Sequence, residues 1–317
     1  MNPLSVPKLN LNLWDLKNKQ QLKLSENNFN TFAKKKINKN FKKTKCPCGI
    51  KKKPVLVKKF NQLSYYQCNC KTIYLNPMIT KNNLQEIYKN NGIYEKHRRK
   101  ILYEKKSKIL RKSINRRKAL QILKLLKNKN KSKILDYGCG DGEFLNFLNK
   151  TIKKENLFGF DLNTNLKKTS KKIKVFSKFS DLKSKKFDVI TLWGVLEHVN
   201  NPNNLISLLS KIIKKKGFLV LEIPSSDSLI AKYTFLSNHV PIRWFEPYRH
   251  LFFFSLNCIK KIFKDKFKLK YIETNGLDLQ TIFDNENTKD EKKVINSQKI
   301  LNDNLLGDHY RIFLRRV

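Results

Sequence analysis

From residue 133 onward the chain alternates short apolar runs with amphipathic stretches. Ile134-Leu135-Asp136, Leu157-Phe158-Gly159-Phe160-Asp161, Lys174-Val175-Phe176, Phe187-Asp188-Val189-Ile190-Thr191-Leu192-Trp193 and residues 218–223 read as five strands. Between them, Phe144, Leu145, Phe147 and Leu148 mark the buried face of one helix, and residues 203–213 mark another that stops before Gly217. Residues 258–263 read as a helix, and 269–272 and 310–314 as further strands. Strands that alternate with helices in this way predict an α/β fold with a parallel sheet covered on both faces. Upstream, residues 96–128 predict one long helix. Its first half is polar and reads as a solvated surface or a docking face; its second half carries an apolar face of Ala119, Leu120, Ile122, Leu123 and Leu126.

The pattern divides the chain into four parts: a basic leader with little regular pattern (1–45), a cysteine-rich segment (46–95), a basic helical connector (96–132) and the α/β domain (133–317). An aromatic insertion lies near 238–255 of the last part. No apolar stretch follows Met1 as a secretory signal would require, and no apolar run approaches the ~18 residues of a spanning helix, so a cytoplasmic location is expected. In that compartment six cysteines are not a disulfide framework.

Charge complicates this picture. The 317 residues hold 68 Lys and Arg against 25 Asp and Glu, a formal net charge of +43. An excess of this size points to nucleic acid, an anionic surface or an acidic substrate. Only 10 of the 68 are Arg, the residue that grips phosphate in a bidentate fork, and the Lys travels with abundant Asn and Ile, which share A/T-rich codons. Compositional drift and an anion-binding face both account for it. The surplus is uneven: residues 96–133 hold 17 basic residues and one acidic, whereas 134–225 hold 16 and nine.

The first strand runs into Asp136-Tyr137-Gly138-Cys139-Gly140-Asp141-Gly142. Glycines there let the backbone turn sharply and approach a ligand, and the helix start beyond favours polar or negative groups. The spacing is G-x-G-x-G, and Glu143 stands where a dinucleotide fingerprint has its last glycine. A pyrophosphate would meet a carboxylate of the wrong sign. Asp136 instead suits an ammonium, and Asp161, 25 residues on at the end of the second strand, suits a ribose diol. A ligand with an amino-acid end, a ribose and no phosphate fits S-adenosylmethionine.

These residues, together with Leu196-Glu197-His198-Val199 and Gly217-Phe218-Leu219-Val220, resemble the class I S-adenosylmethionine-dependent methyltransferases. The resemblance implies a doubly wound, Rossmann-like sheet of seven strands with the last antiparallel. It also implies cofactor binding by Asp136, by the backbone of Gly138, Gly140 and Gly142, and by Asp161. Asp181 would meet the adenine amino group, and Trp193 would wall the transfer cleft.

Cys46-Pro47-Cys48 and Cys68-Asn69-Cys70 are two paired knuckles. Four thiolates suit tetrahedral Zn²⁺, and a segment too small for its own core gains stability from such a site. Each pair has one intervening residue where zinc ribbons usually have two. Some class I methyltransferases that act on nucleotide-linked sugars carry an N-terminal zinc ribbon followed by a phrase similar to Thr72-Ile73-Tyr74-Leu75-Asn76-Pro77, and this chain resembles them. That resemblance implies a small-molecule or glycan acceptor, such as a surface-polysaccharide precursor. His198 and His250 are the candidate general bases; Trp244, Tyr248 and Arg249 could shape the acceptor pocket. An RNA methyltransferase using the basic 96–133 stretch and a non-catalytic binding protein with the same fold remain alternatives.

Overall fold

The structure is a computed structural model that describes residues 41–60, 62–88, 105–162, 173–236, 245, 249–276, 279 and 291–317. Residues 1–40 of the expected leader, residues 96–104 of the basic stretch, and Trp244 and Tyr248 lie outside these residues.

The N-terminal part consists of β1 (Phe41–Lys42), β2 (Val55–Phe60), β3 (Leu63–Gln67), β4 (Ile73–Leu75) and β5 (Met78–Ile79), followed by α1 (Lys81–Tyr88). The connector forms α2 (Lys105–Leu125). The α/β part runs β6 (Ile134–Tyr137), α3 (Glu143–Leu148), β7 (Leu157–Phe160), β8 (Lys174–Phe176), β9 (Phe187–Trp193), α4 (Pro202–Ile212), β10 (Ile213–Pro224) and α5 (Leu229–Leu236). It continues with β11 (Phe252–Phe253), α6 (Leu256–Phe263), β12 (Phe267–Asn275), α7 (Glu291–Asp303) and β13 (His309–Arg316).

The main sheet has seven strands in the order β12-β13-β10-β9-β6-β7-β8. Strands β8, β7, β6, β9 and β10 run parallel, and β13 inserts antiparallel to both β10 and β12. Seven strands with the last antiparallel are what the family resemblance implies. The cause is burial: Ile134, Leu135, Ile190, Val220 and Ile312 are essentially inaccessible, as both-face coverage of a parallel sheet requires. Helix α4 begins where Asn201 accepts a hydrogen bond from the Asn204 amide at 3.0 Å and Pro202 occupies the first turn. The fifth strand begins at Ile213, five residues before the expected start, with a register shift between Ile213 and Phe218. Helices α5 and α7 were not anticipated: α5 is apolar almost throughout and shows no helical period, and Lys and Asn break the apolar period of α7.

Two expectations for α2 are corrected. Leu120 is 42% exposed and does not belong to the apolar face. It sits about 100° round the helix from buried Ala119, off the stripe that Ala119 and Ile122 form. The polar half is also not simply solvated. Arg117 and Lys118 are buried, because α2 packs on the sheet face from which β10 and β12 present Glu222 and Glu273. Lys118 pairs with Glu222 at 2.8 Å and Arg117 with Glu273 at 2.9 Å, while Arg311 bridges Glu222 and Glu273. Further along, Arg111 reaches Asp141 and Glu143 of the glycine loop at 3.2 and 3.3 Å.

The small N-terminal sheet has the order β11-β4-β3-β2, so its edge strand comes from the aromatic insertion of the α/β part. Phe252 pairs with Tyr74 and Phe253 with Ile73. Ser255 caps α6 by accepting from the Cys258 amide, and its hydroxyl also bonds Thr72 and the Cys70 carbonyl. The two parts share one apolar core.

Candidate functional site

The carboxyl ends of β6, β7 and β9 gather the residues expected at the cofactor site. Gly138, Gly140 and Gly142 all have positive φ. At Gly138 the demand is steric as well: a Cβ would lie 2.5 Å from Val195 Cγ2. Asp161, one residue beyond β7, accepts a hydrogen bond from the Gly140 amide at 2.9 Å, so the ribose candidate and the glycine loop are held as one unit. Tyr137 stacks on Phe160 beneath them, with ring centroids 4.4 Å apart. Cys139 is buried against Gly159 and is packing.

Asp136 is 2% exposed and accepts from the Thr191 hydroxyl at 2.7 Å. Burial raises its pKa to about 7, against the opposing pull of that hydrogen bond and of Lys118. Trp193 closes β9. Its indole lies under the Lys118 ammonium, 4.6 Å from the ring centroid, and its Nε1 is buried with no hydrogen-bond partner among the described residues. Asp181 behaves differently from the other acids. It is exposed on a short 3₁₀ turn, Phe179–Leu182, and accepts from the Ser180 hydroxyl. The donor set fits S-adenosylmethionine: a buried carboxyl for an ammonium, an acid at the neighbouring strand end for a diol, and a glycine loop between them.

The two candidate histidines meet beside this edge. His198 ends a 3₁₀ turn, Leu196–His198, that follows β9; His250 precedes β11. Their ring centroids are 5.1 Å apart. The backbone around His250 is tied on every side. His198 Nδ1 donates to the Arg249 carbonyl at 2.6 Å, the Leu251 amide to the Glu197 carbonyl at 2.8 Å, and the Tyr65 hydroxyl to the His250 carbonyl at 2.6 Å. The small sheet therefore serves the site: β3 holds the loop that carries His250.

Sequence reasoning missed Glu197 as a site residue. It is 2% exposed, its Oε1 lies 3.7 Å from His198 Nε2, and burial raises its pKa to about 7. Its position next to His198 was the only available signal. The Lys118–Glu222–Arg311 cluster was also missed, since its members are far apart in sequence and none sits in a motif.

Cys46, Cys48, Cys68 and Cys70 are all buried, with their sulfurs within 4.8 Å of one another. The Cys46–Cys70 and Cys48–Cys68 sulfurs are 3.6 and 3.5 Å apart. Tetrahedral zinc with bonds of about 2.3 Å spaces its sulfurs by roughly 3.8 Å, so the four thiols fit the ion with little movement. The Ile50 amide points at the Cys48 sulfur at 3.4 Å, the donor a thiolate ligand would use. Cys258, in the first turn of α6, is buried near Cys46 and Cys70, a fifth thiol that no sequence spacing reveals.

A doubly wound sheet in this strand order, with a glycine loop and two strand-end acids, is the architecture of the class I S-adenosylmethionine-dependent methyltransferases. The description "Methyltransferase domain" matches residues 110–273, and the chain belongs to that family. An uncharacterized protein of Methanocaldococcus jannaschii is 35% identical over 118 residues, 36% of this chain and 50% of its own length. The chain thus spans about half the length of the curated relative it matches. Among solved structures it is similar to a SAM-dependent methyltransferase from Archaeoglobus fulgidus, at 21% identity and a TM-score of 0.43 over 64% of this chain and 94% of that one. It is also similar to magnesium protoporphyrin IX methyltransferase from Synechocystis PCC 6803, solved with bound SAH, at 14% identity and a TM-score of 0.48 over 75% and 99%. No described helix is long and apolar enough to cross a membrane.

Proposed function

We propose that the chain transfers a methyl group from S-adenosylmethionine to a heteroatom of a small-molecule or glycan acceptor, with a nucleotide-linked sugar or polysaccharide precursor as the leading class. The observation that carries this reading is the convergence of Asp136, Asp161 and the glycine loop with the His198–His250 pair at one end of the sheet. Bound S-adenosylmethionine supplies a methyl group already activated on a sulfonium. Asp136 takes the ammonium and Asp161 the ribose hydroxyls. Trp193 walls the cleft and keeps water from it, which leaves positioning and desolvation as the main contributions. The tied loop brings His250 toward an acceptor hydroxyl or amine, where an imidazole can take the proton. Asp181 remains a candidate for the adenine amino group at the outer rim.

A structural Zn²⁺ on Cys46, Cys48, Cys68 and Cys70 would fix the small sheet that holds His250, and so act on catalysis at a distance. RNA is the weaker acceptor. Part of the charge that favoured it is spent internally, because Arg111, Arg117 and Lys118 face Asp141, Glu143, Glu222 and Glu273. The test is transfer of labelled methyl from S-adenosylmethionine, with nucleotide sugars and total RNA assayed side by side. Label in a sugar fraction supports the reading; label only in RNA replaces it.

A further inference from the structure

We propose that Glu197, His198 and His250 form a binding site for a divalent first-row transition-metal ion, separate from the four-cysteine cluster. One ligand atom from each lies within 4.8 Å of the other two. A cation with ligand bonds of about 2.1 Å holds its ligands about 3 to 4 Å apart, so inward shifts of under an ångström close the set. The Glu197–His198 separation of 3.7 Å already falls in that range.

Three further observations point to a ligand. Glu197 is 2% exposed, and its Oε2 has no hydrogen-bond partner among the described residues. A carboxylate oxygen left so is costly unless something occupies it. His198 Nδ1 donates to the Arg249 carbonyl, which can only accept; the proton is therefore on Nδ1, and in the neutral ring the lone pair lies on Nε2, which faces Glu197. Metal-bound histidines are oriented in this way by a carbonyl behind the ring. The His250 backbone is pinned through Tyr65 and its neighbours, so the third ligand is delivered by rigid structure and not by a loose loop.

Two imidazoles and one carboxylate suit Mn²⁺, Fe²⁺ or Co²⁺, and three ligands from one side leave the remaining positions to water or an acceptor oxygen. The site stands on its own geometry. Its use, ligation of an acceptor hydroxyl so that the oxygen becomes the better nucleophile, rests on the methyl-transfer reading above and replaces proton transfer to His250, whose lone pair the ion would take.

The probe is Mn²⁺, which the thiolate cluster disfavours, titrated into the zinc-loaded full chain and followed by electron paramagnetic resonance. Expected are one Mn²⁺ per chain, nitrogen modulation from two imidazoles in the wild-type protein, and affinity weakened about tenfold or more in Glu197→Gln and His250→Ala. Absence of binding, absence of nitrogen modulation, or unchanged affinity in both variants would overturn the site. The wild-type spectrum decides the matter even if a variant fails to fold. S-adenosylmethionine titrated into the same samples separates the two ideas. Cofactor binding without a Mn²⁺ site rejects only the cation site, and a Mn²⁺ site without cofactor binding rejects only the methyl-transfer reading.

Discussion

Asp136→Asn removes a buried charge while keeping the side chain's shape, and its consequences have opposite signs for stability and for binding. In the unfolded chain the carboxyl ionises near 3.8; in the folded chain burial holds it protonated to about 7. Between those values the unfolded state has lost a proton that the folded state retains. Raising the pH therefore favours unfolding across that window, and the slope vanishes below and above it. About three pH units at ~1.4 kcal/mol each give up to about 4 kcal/mol lost by pH 8. The variant carries no such group. The Thr191 hydroxyl, 2.7 Å away, keeps an acceptor in the amide oxygen. Glu197 is raised in the same way and contributes equally to both proteins, so it cancels in the difference. Urea unfolding without cofactor at pH 5 and pH 8.5 should show the variant gaining on the wild type by a few kcal/mol at the higher pH. Cofactor affinity should move the other way. Loss of a charge-assisted hydrogen bond worth about 1.5–3 kcal/mol weakens S-adenosylmethionine roughly 10- to 150-fold. A stability difference independent of pH, or unchanged affinity, would refute the assignment.

Gly138→Ala combines a left-handed backbone costing about 1–2 kcal/mol with a 2.5 Å approach to Val195 costing about 1–3 kcal/mol. Chemical denaturation should show destabilisation of about 2–5 kcal/mol; an unshifted midpoint contradicts the tight turn. His250→Ala should lower turnover on the order of 100-fold or more while the cofactor dissociation constant stays within about twofold. Equal losses in both, or no loss, reject its part at the acceptor. Metal analysis of the purified chain should find one zinc, with chelator melting the small sheet and Cys48→Ser abolishing uptake. Substoichiometric zinc together with a fold indifferent to chelator would rule the ion out.

The main sheet was legible because its strands are buried on both faces, and mainly apolar runs such as Ile134-Leu135 and Phe187–Trp193 survive the Lys- and Asn-rich background. The acids proposed for the cofactor were legible because Asp136 stands at the end of the strand that feeds the glycine loop and Asp161 at the end of the next one. What was not legible depends on contacts between distant residues. Phe252–Phe253 reads as part of an aromatic insertion, yet its hydrogen bonds go to Ile73 and Tyr74. Arg117 and Lys118 look like solvated charges in a basic helix until Glu222 and Glu273 arrive from strands about 100 to 150 residues later. For the same reason the +43 charge overstates the free basic surface, since part of the connector's share neutralises buried carboxylates. Glu197 was hidden beside the histidine that drew attention, because local sequence does not reveal that its side chain turns inward.

The central claim is that the strand ends around Asp136 and Asp161 hold S-adenosylmethionine. Calorimetric titration of S-adenosylmethionine into the full-length chain tests it most directly, with Asp161→Ala run in parallel. The account predicts one site per chain, weakened about tenfold or more in the variant, whose ribose contact is lost. Absence of heat from the folded protein, or equal affinity in both proteins, would contradict it.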